Sequence, residues 1–429
     1  MDGQTVESIG IVGAGLMGTA VAAASLAAGM RVVLADADPG ALERAGENVR
    51  DQLAELGRAP PGETETLLAE RLVVAPRFDA MASCDLVLES IVEDAAVKGR
   101  LYAELSPWLA DRAVLATNTS TIPIEQLAAT VPWPERFCGL HFFHPVAQRP
   151  LVEVVRAPQT SAATVATAGR FVAAVGKEAL VVADGPGFVV NRLLMPYLTE
   201  AVELLLDGAA VERVERVATE FGMAKGPLRL IDEIGLDTVV AGGKVLWRAF
   251  PKRIVLSPLM VGLYKAGRFG VKSGAGFFDY TNCDGDEERP VDTFALQKIA
   301  EWARAPQRVD DEPLRDRLFL PMVAEAARLV EEGRVSSPAE IDTAVVLGLG
   351  FPARRRWSNG SGGSKHSAPA WSLRSCCDAC LTRINRFTPR EILTRSASER
   401  TATAPDASSR WRFGLVCGDR TRPLACASG

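Results

Sequence analysis

Short apolar runs at residues 9–12, 32–34, 72–74, 86–89, 114–116 and 137–142 alternate with longer stretches whose apolar residues recur at helical spacing. Runs this short predict buried strands, and the helical stretches between them predict crossovers that leave the strands parallel. The pattern is that of an α/β protein with a doubly wound parallel sheet. It stops at the turn cluster Asp184-Gly185-Pro186-Gly187, beyond which strand signals cease and long amphipathic patterns begin, the first over residues 191–207. A sheet domain over residues 1–185 and an all-helical domain over 186–283 are therefore expected.

The helical part repeats itself. The stretch RLLMPYLTEA starting at Arg192 is echoed by RLFLPMVAEA starting at Arg317, and Gly208 is echoed by Gly333 at the same offset of 125. A second, truncated helical repeat is expected over residues 284–352, entered through a polar linker from Asp284 to Pro290. After Phe351-Pro352 the composition changes: residues 353–429 hold 14 Lys and Arg against 5 Asp and Glu, are rich in Ser and Thr, and keep no sustained period. Such a basic tail cannot bury a core, so it reads as disordered or as the product of a frame change.

Composition narrows the function classes. With 429 residues, 48% of them hydrophobic, the chain can bury two or three cores. Its formal charge of −5 argues against a nucleic-acid groove, and no run of about 18 large apolar residues offers a membrane span. The start, Met1-Asp2-Gly3-Gln4, lacks the basic head of a secretion signal, so a cytoplasmic location is expected, with neither nucleic acid nor membrane as partner. Cys84, Cys138 and Cys283 are scattered, and the cysteines of the tail, Cys376-Cys377 with Cys380, Cys417 and Cys426, fit no common zinc spacing. No metal is expected.

The first strand breaks into Gly13-Ala14-Gly15-Leu16-Met17-Gly18, a G-x-G-x-x-G that opens a helix. Gly13 allows the tight turn, Gly15 lets the backbone approach a pyrophosphate, and Gly18 lets the helix pack on the sheet. The helix N-terminus at Leu16 and Met17 supplies partial positive charge. The second strand ends on Asp36, where an acidic residue binds the ribose hydroxyls and repels a 2′-phosphate, so NAD is the expected cofactor. Further polar clusters follow later strands: Glu93 leading to Lys98, then Asn118-Thr119-Ser120-Thr121, then His141 and His144, with Glu153 twelve residues beyond His141. An alcohol dehydrogenase needs a base with a pKa near neutral, and a carboxylate on the far ring nitrogen would fix the tautomer and stabilise the imidazolium. The same pair also suits a buried histidine merely satisfied by a neighbouring carboxylate.

Taken in order, the G-x-G-x-x-G turn, Glu93–Lys98, N-T-S at Asn118, H-F-F-x-P at His141 with Glu153, and P-G-F-x-x-N-R ending at Arg192 resemble the L-3-hydroxyacyl-CoA dehydrogenase family over residues 5–352. The resemblance implies a Rossmann-type NAD-binding domain, His141 as base with Glu153 as partner, and Ser120 and Asn191 as hydrogen-bonding groups for the substrate. It places Asp36, Glu93, Lys98 and Asn118 along the NAD site. It also implies a homodimer, and reads the segment from Lys265 to Phe278 as structural. The second helical unit is similar to the dehydrogenase part of multifunctional fatty-acid oxidation subunits. Two departures stand out. His144 occupies a position where the family usually has Asn, and the region from Gly57 to Glu63 has no lysine for the phosphates of CoA. With Gln148-Arg149-Pro150, these features resemble the branch that oxidises glyceryl groups on acyl carrier protein during hydroxymalonyl or methoxymalonyl extender-unit synthesis. The expected substrate is thus an acyl-CoA or acyl carrier protein thioester. The rival reading is an NAD-binding relative that has lost turnover.

Overall fold

A computed structural model describes residues 4–57, 62–281, 289–304 and 310–353. The tail from residue 354 onward with its cysteines, Cys283, the linker as far as Glu288 and the centre of the region from Gly57 to Glu63 lie outside the described residues. Eight strands form one sheet: β1 (Ser8–Val12), β2 (Arg31–Ala35), β3 (Leu72–Ala75), β4 (Leu86–Glu89), β5 (Val114–Thr117), β6 (Phe137–Phe142), β7 (Leu151–Arg156) and β8 (Glu178–Ala183). Their order is β3-β2-β1-β4-β5-β6-β7-β8. Two of these strands, β7 and β8, extend the six that the apolar runs predict. The sheet departs from all-parallel at one place, where β6 and β7 pair antiparallel. No helix lies between those two strands, so no crossover can return the chain in the same direction.

The sheet is covered by α1 (Leu16–Ala27), α2 (Pro39–Leu56), α3 (Thr64–Arg71), α4 (Ala95–Leu105), α5 (Ile124–Ala128) and α6 (Ala162–Ala174). The residues of β1 are buried on both faces, which explains why its sequence reads as a continuous apolar run. Strand order reverses between β1 and β4, so the carboxyl ends of these strands border the crevice where such sheets bind ligands.

Among the described residues eight α-helices follow: α7 (Val190–Leu206), α8 (Val211–Phe221), α9 (Pro227–Ile234), α10 (Leu236–Ala249), α11 (Pro258–Lys265), α12 (Thr293–Trp302), α13 (Asp311–Glu331) and α14 (Pro338–Thr343). Among the described residues no helix is long and apolar enough to cross a membrane. The echoed sequences fall on α7 and α13, each with its proline inside the helix. The echoed glycines both adopt left-handed backbone just past those helices, Gly208 at φ 96° and Gly333 at φ 65°.

The two helices grip each other reciprocally. Arg192 of α7 reaches Glu325 through Nε at 2.7 Å and Glu332 through Nη1 at 2.6 Å. Arg317 of α13 reaches Glu200 through Nε at 2.6 Å and Asp207 through Nη1 at 2.8 Å. Shifting Arg192, Glu200 and Asp207 by the repeat offset gives Arg317, Glu325 and Glu332, so the two sets of pairs are equivalent. Such mutual pairing is the signature of a self-complementary, two-fold interface, here formed within one chain. Between the ion pairs, the Tyr197 and Phe319 rings stack at 5.4 Å, while Phe221 lies 3.9 Å from Phe319 and 5.5 Å from Phe351.

Burial pushes the Glu200 carboxyl up to about 6, with Arg317 opposing and Glu203 and Asp207 adding to the rise. Its ionisation therefore opposes folding as pH climbs from the unfolded value through about 6. Arg317→Met removes the cation that offsets this cost. We expect it to lower stability by about 2 kcal/mol at pH 8, short of the loss for a fully buried pair because Glu200 is only half-buried. The loss should shrink at pH 5, where Glu200 is protonated, and Arg317→Met with Glu200→Gln should recover much of it. Urea unfolding at both pH values checks this, and a loss equal at the two would contradict it.

Candidate active site

The three glycines of the first turn do different work. Gly13 has φ 114°, and a Cβ there would sit 2.4 Å from the Ser90 carbonyl oxygen. A Cβ on Gly18 would lie 1.8 Å from the Gly13 carbonyl oxygen, so α1 can start this close to the turn only as glycine. Around Gly15, by contrast, there is nothing within 4 Å of a Cβ position. Gly15 caps α1 without a side-chain acceptor, and no acid occupies the first turn. The helix-start amides near Leu16 and Met17 are thus left for an incoming anion, and the open side of Gly15 fits a pyrophosphate. Asp36 closes the far side of the crevice, its Oδ2 accepting from the Ala14 amide at 2.7 Å and its Oδ1 from the Asp38 amide at 2.9 Å.

On β6 and β7, the antiparallel register sets His141 opposite Glu153. Residues facing each other across two strands put their side chains on the same side, which explains the twelve-residue spacing. His141 Nδ1 lies 2.7 Å from Glu153 Oε2, and His141 Nε2 lies 3.1 Å from Ser120 Oγ. The other oxygen of Glu153 accepts from the amides of Val189 and Val190 at 3.0 and 2.9 Å. Both His141 and Glu153 are buried. The two amides reach Glu153 because the chain turns through consecutive left-handed residues, Gly187 at φ 70° and Phe188 at φ 48°. A phenylalanine in that region is uncommon, and its ring packs 5.6 Å from the His141 ring, with Phe143 at 4.5 Å. At the second residue of α7, Asn191 Nδ2 donates to the Ser120 carbonyl at 3.2 Å.

Asn118 and Glu93 brace the same loop. Asn118 Oδ1 accepts from the Phe142 amide at 2.9 Å, and its Nδ2 donates to Ser90 Oγ at 3.2 Å. Glu93 Oε1 accepts from the Thr119 and Thr121 hydroxyls at 2.6 and 2.9 Å. Burial would raise the Glu93 carboxyl, but these hydroxyls and Lys98 together hold it below its ordinary value. Lys98 does meet Glu93, at 3.6 Å, yet its nearer partner is Glu89 at 2.5 Å. Glu89, Tyr102 and Thr117 are not among the predicted site residues, yet the Tyr102 and Thr117 hydroxyls both donate to Glu89 Oε2. One signal could have found them: Glu89 ends an otherwise apolar buried strand, where an ionised side chain must be paired.

His144 stands apart from this assembly, exposed on the turn between β6 and β7. Partial burial lowers its pKa and Arg149 lowers it further, with Glu55 opposing, so the ring is neutral at pH 7. Structure therefore gathers His141, Glu153, Ser120 and Asn191 into one bonded set and Gly13, Gly15, Gly18 and Asp36 into another, with Glu93, Lys98 and Asn118 bracing the loop that carries Ser120.

Comparison with known proteins bears on both sets. Residues 8–185 match the model of the 3-hydroxyacyl-CoA dehydrogenase NAD binding domain. Residues 187–280 and 314–354 match that of the 3-hydroxyacyl-CoA dehydrogenase C-terminal domain. The chain is similar to (S)-3-hydroxybutyryl-CoA dehydrogenase PaaH1 from Ralstonia eutropha, at 33% identity and a TM-score of 0.62, over 65% of this chain and 100% of that one. It is similar to 3-hydroxybutyryl-CoA dehydrogenase from Escherichia coli K12, at 28% identity and a TM-score of 0.71, over 81% of this chain and 90% of that one. It also resembles the dehydrogenase part of multifunctional enzyme 1 from C. elegans, at 26% identity and a TM-score of 0.59, over 82% of this chain and 80% of that one. The chain belongs to the 3-hydroxyacyl-CoA dehydrogenase family and is an NAD-dependent oxidoreductase acting on a CH–OH group.

Proposed function

We propose that this enzyme oxidises the 3-hydroxyl of an acyl thioester to the 3-oxo form in the cytoplasm, with His141 as general base and Glu153 as its partner. The observation that carries the reading is the unbroken chain from the Val189 and Val190 amides through Glu153 and His141 to Ser120. With Nδ1–H donated to Glu153, neutral His141 presents the Nε2 lone pair on the side where Ser120 lies. A substrate hydroxyl held there by Ser120 and Asn191 gives its proton to Nε2 as the C3–H bond breaks. Gly13, Gly15, Leu16, Met17, Gly18 and Asp36 would hold NAD, with Glu93, Lys98 and Asn118 alongside, and the cofactor would supply the hydride acceptor. Glu153, buried and fixed by two amides, stabilises the imidazolium, which then releases its proton to solvent. Phe143 and Phe188 pack against the ring and hold its plane.

For the carrier, we favour an acyl carrier protein over free CoA. The sequence from Gly57 to Glu63 holds one arginine, Arg58, and no lysine, and Arg50 of α2 is already paired with Glu65 at 2.6 Å. His144, in place of the family's usual Asn, would line the substrate side as a neutral hydrogen-bonding group. Any homodimer must use a face other than the side of α7 that α13 of the same chain covers.

His141→Gln should lower turnover by about 10²- to 10⁴-fold while leaving NAD affinity near the parental value, as loss of a general base requires. Stopped-flow NADH formation and NAD titration check this, and parental turnover would move the base elsewhere. Asp36→Ala should narrow a preference for NAD over NADP that we expect to be at least about tenfold. Equal use of both cofactors by the parent would contradict that role for Asp36. Glyceryl or 3-hydroxyacyl carrier protein should show a higher kcat/KM than the matching CoA thioester, with a steeper fall as salt is raised. A clear preference for 3-hydroxybutyryl-CoA would remove the carrier-protein reading, and NADH from neither substrate would favour the relative without turnover.

A further inference from the structure

Glu89, the last residue of β4, is wholly buried and takes no part in the reaction proposed above. Its Oε1 accepts from Lys98 Nζ at 2.5 Å and from the Ile91 amide at 2.8 Å. Its Oε2 accepts from the Tyr102 hydroxyl at 2.7 Å and from the Thr117 hydroxyl at 2.8 Å. A carboxylate offers about four lone-pair sites, so this one is saturated. Two of the four partners matter to the site. Thr117 lies directly opposite Glu89 in the β4–β5 register and is the last residue before Asn118. Lys98 is buried, and its ammonium also faces Glu93 Oε2 at 3.6 Å. The remaining oxygen of Glu93 takes the amides of Ser120 and Thr121 at 3.1 and 3.0 Å together with the Thr119 and Thr121 hydroxyls. One ammonium therefore ties two carboxylates together, and the two carboxylates hold the loop at both ends. Between those ends sits Ser120, 3.1 Å from His141.

We infer that Glu89 is a positioning residue for the hydroxyl oxidation, setting, through Thr117 and Lys98, the loop that presents Ser120. The inference rests on the proposed role of Ser120. A buried ammonium must stay neutralised, so with Glu89 uncharged Lys98 is drawn fully onto Glu93. Glu93 then turns from the Ser120 and Thr121 amides, and Thr117 loses its charged acceptor at the same time. Catalysis suffers because a displacement of about 1 Å in a positioned group costs on the order of 10² in rate.

Glu89→Gln keeps the shape and removes the charge. At saturating NAD its kcat should fall by about tenfold or more, and hydrogen exchange at the Ser120 and Thr121 amides should speed by at least about tenfold. In a Ser120→Ala background the same change should lower kcat by less than about twofold, since the group being positioned is gone. A residue that merely stabilises the fold would cost the same factor in both backgrounds. Parental kcat, equal factors in the two backgrounds, or unchanged amide exchange overturns the inference. A Ser120→Ala variant with parental kcat would instead overturn the role of Ser120, leaving amide exchange to decide whether Glu89 holds the loop. Where Glu89→Gln fails to fold, Thr117→Val removes one donor at constant shape and carries the same comparisons, with an expected loss of about threefold to tenfold.

Discussion

Glu153 serves two parts of the molecule at once. One oxygen holds the His141 ring from the neighbouring strand, and the other receives the two amides that precede α7. Having no exposure, the carboxylate cannot exchange either set of partners for water. The direction in which the helical part leaves the sheet and the orientation of the imidazole are consequently one constraint. Asn191, the next residue along, reaches the Ser120 carbonyl only because that departure point is set. The unusual backbone of Gly187 and Phe188 is a local cost accepted so that those amides point at Glu153.

Acidic side chains around the crevice work in the same way. Asp36 binds the glycine turn through the Ala14 amide, and Glu93 binds the loop after β5. Each carboxylate thus stiffens the backbone of the site, so the crevice is shaped before any ligand enters. Such preorganisation is what a site needs when its work is mostly orientation and charge placement.

Further from the crevice, the duplicated helices solve a burial problem. Nearly all of α7 is buried, which a single layer of helices could not achieve. Supplied from the same chain, α13 covers it with equivalent arginines and acids. Gly348 near the end of this second unit packs against Leu151 and Val190, and the Arg334 carbonyl accepts from the Ala183 amide. The added unit therefore braces β7, β8 and the start of α7, the elements on which Glu153 depends.

Much of this was legible along the chain. Six strands showed as apolar runs, the glycine turn showed by its spacing, the duplication showed in the echo at offset 125, and NAD followed from the turn together with Asp36. All of these are local signals, written in the period of apolar residues and in the conformations open only to glycine. The edge strand β8 is not among the predicted strands although residues 179–183 are apolar, and its exposure alternates with burial, as one open face of an edge strand allows. Motif order also picked out His141, Glu153, Ser120 and Asn191, but it could not say that β6 and β7 run antiparallel with His141 opposite Glu153. Nor could it choose Glu89 over Glu93 as the nearer partner of Lys98, or pair Arg192 with Glu325 and Arg317 with Glu200. Those choices belong to the tertiary structure, because a buried charge takes whichever partner packing brings within reach, and packing joins Arg192 to Glu325 across 133 positions of chain.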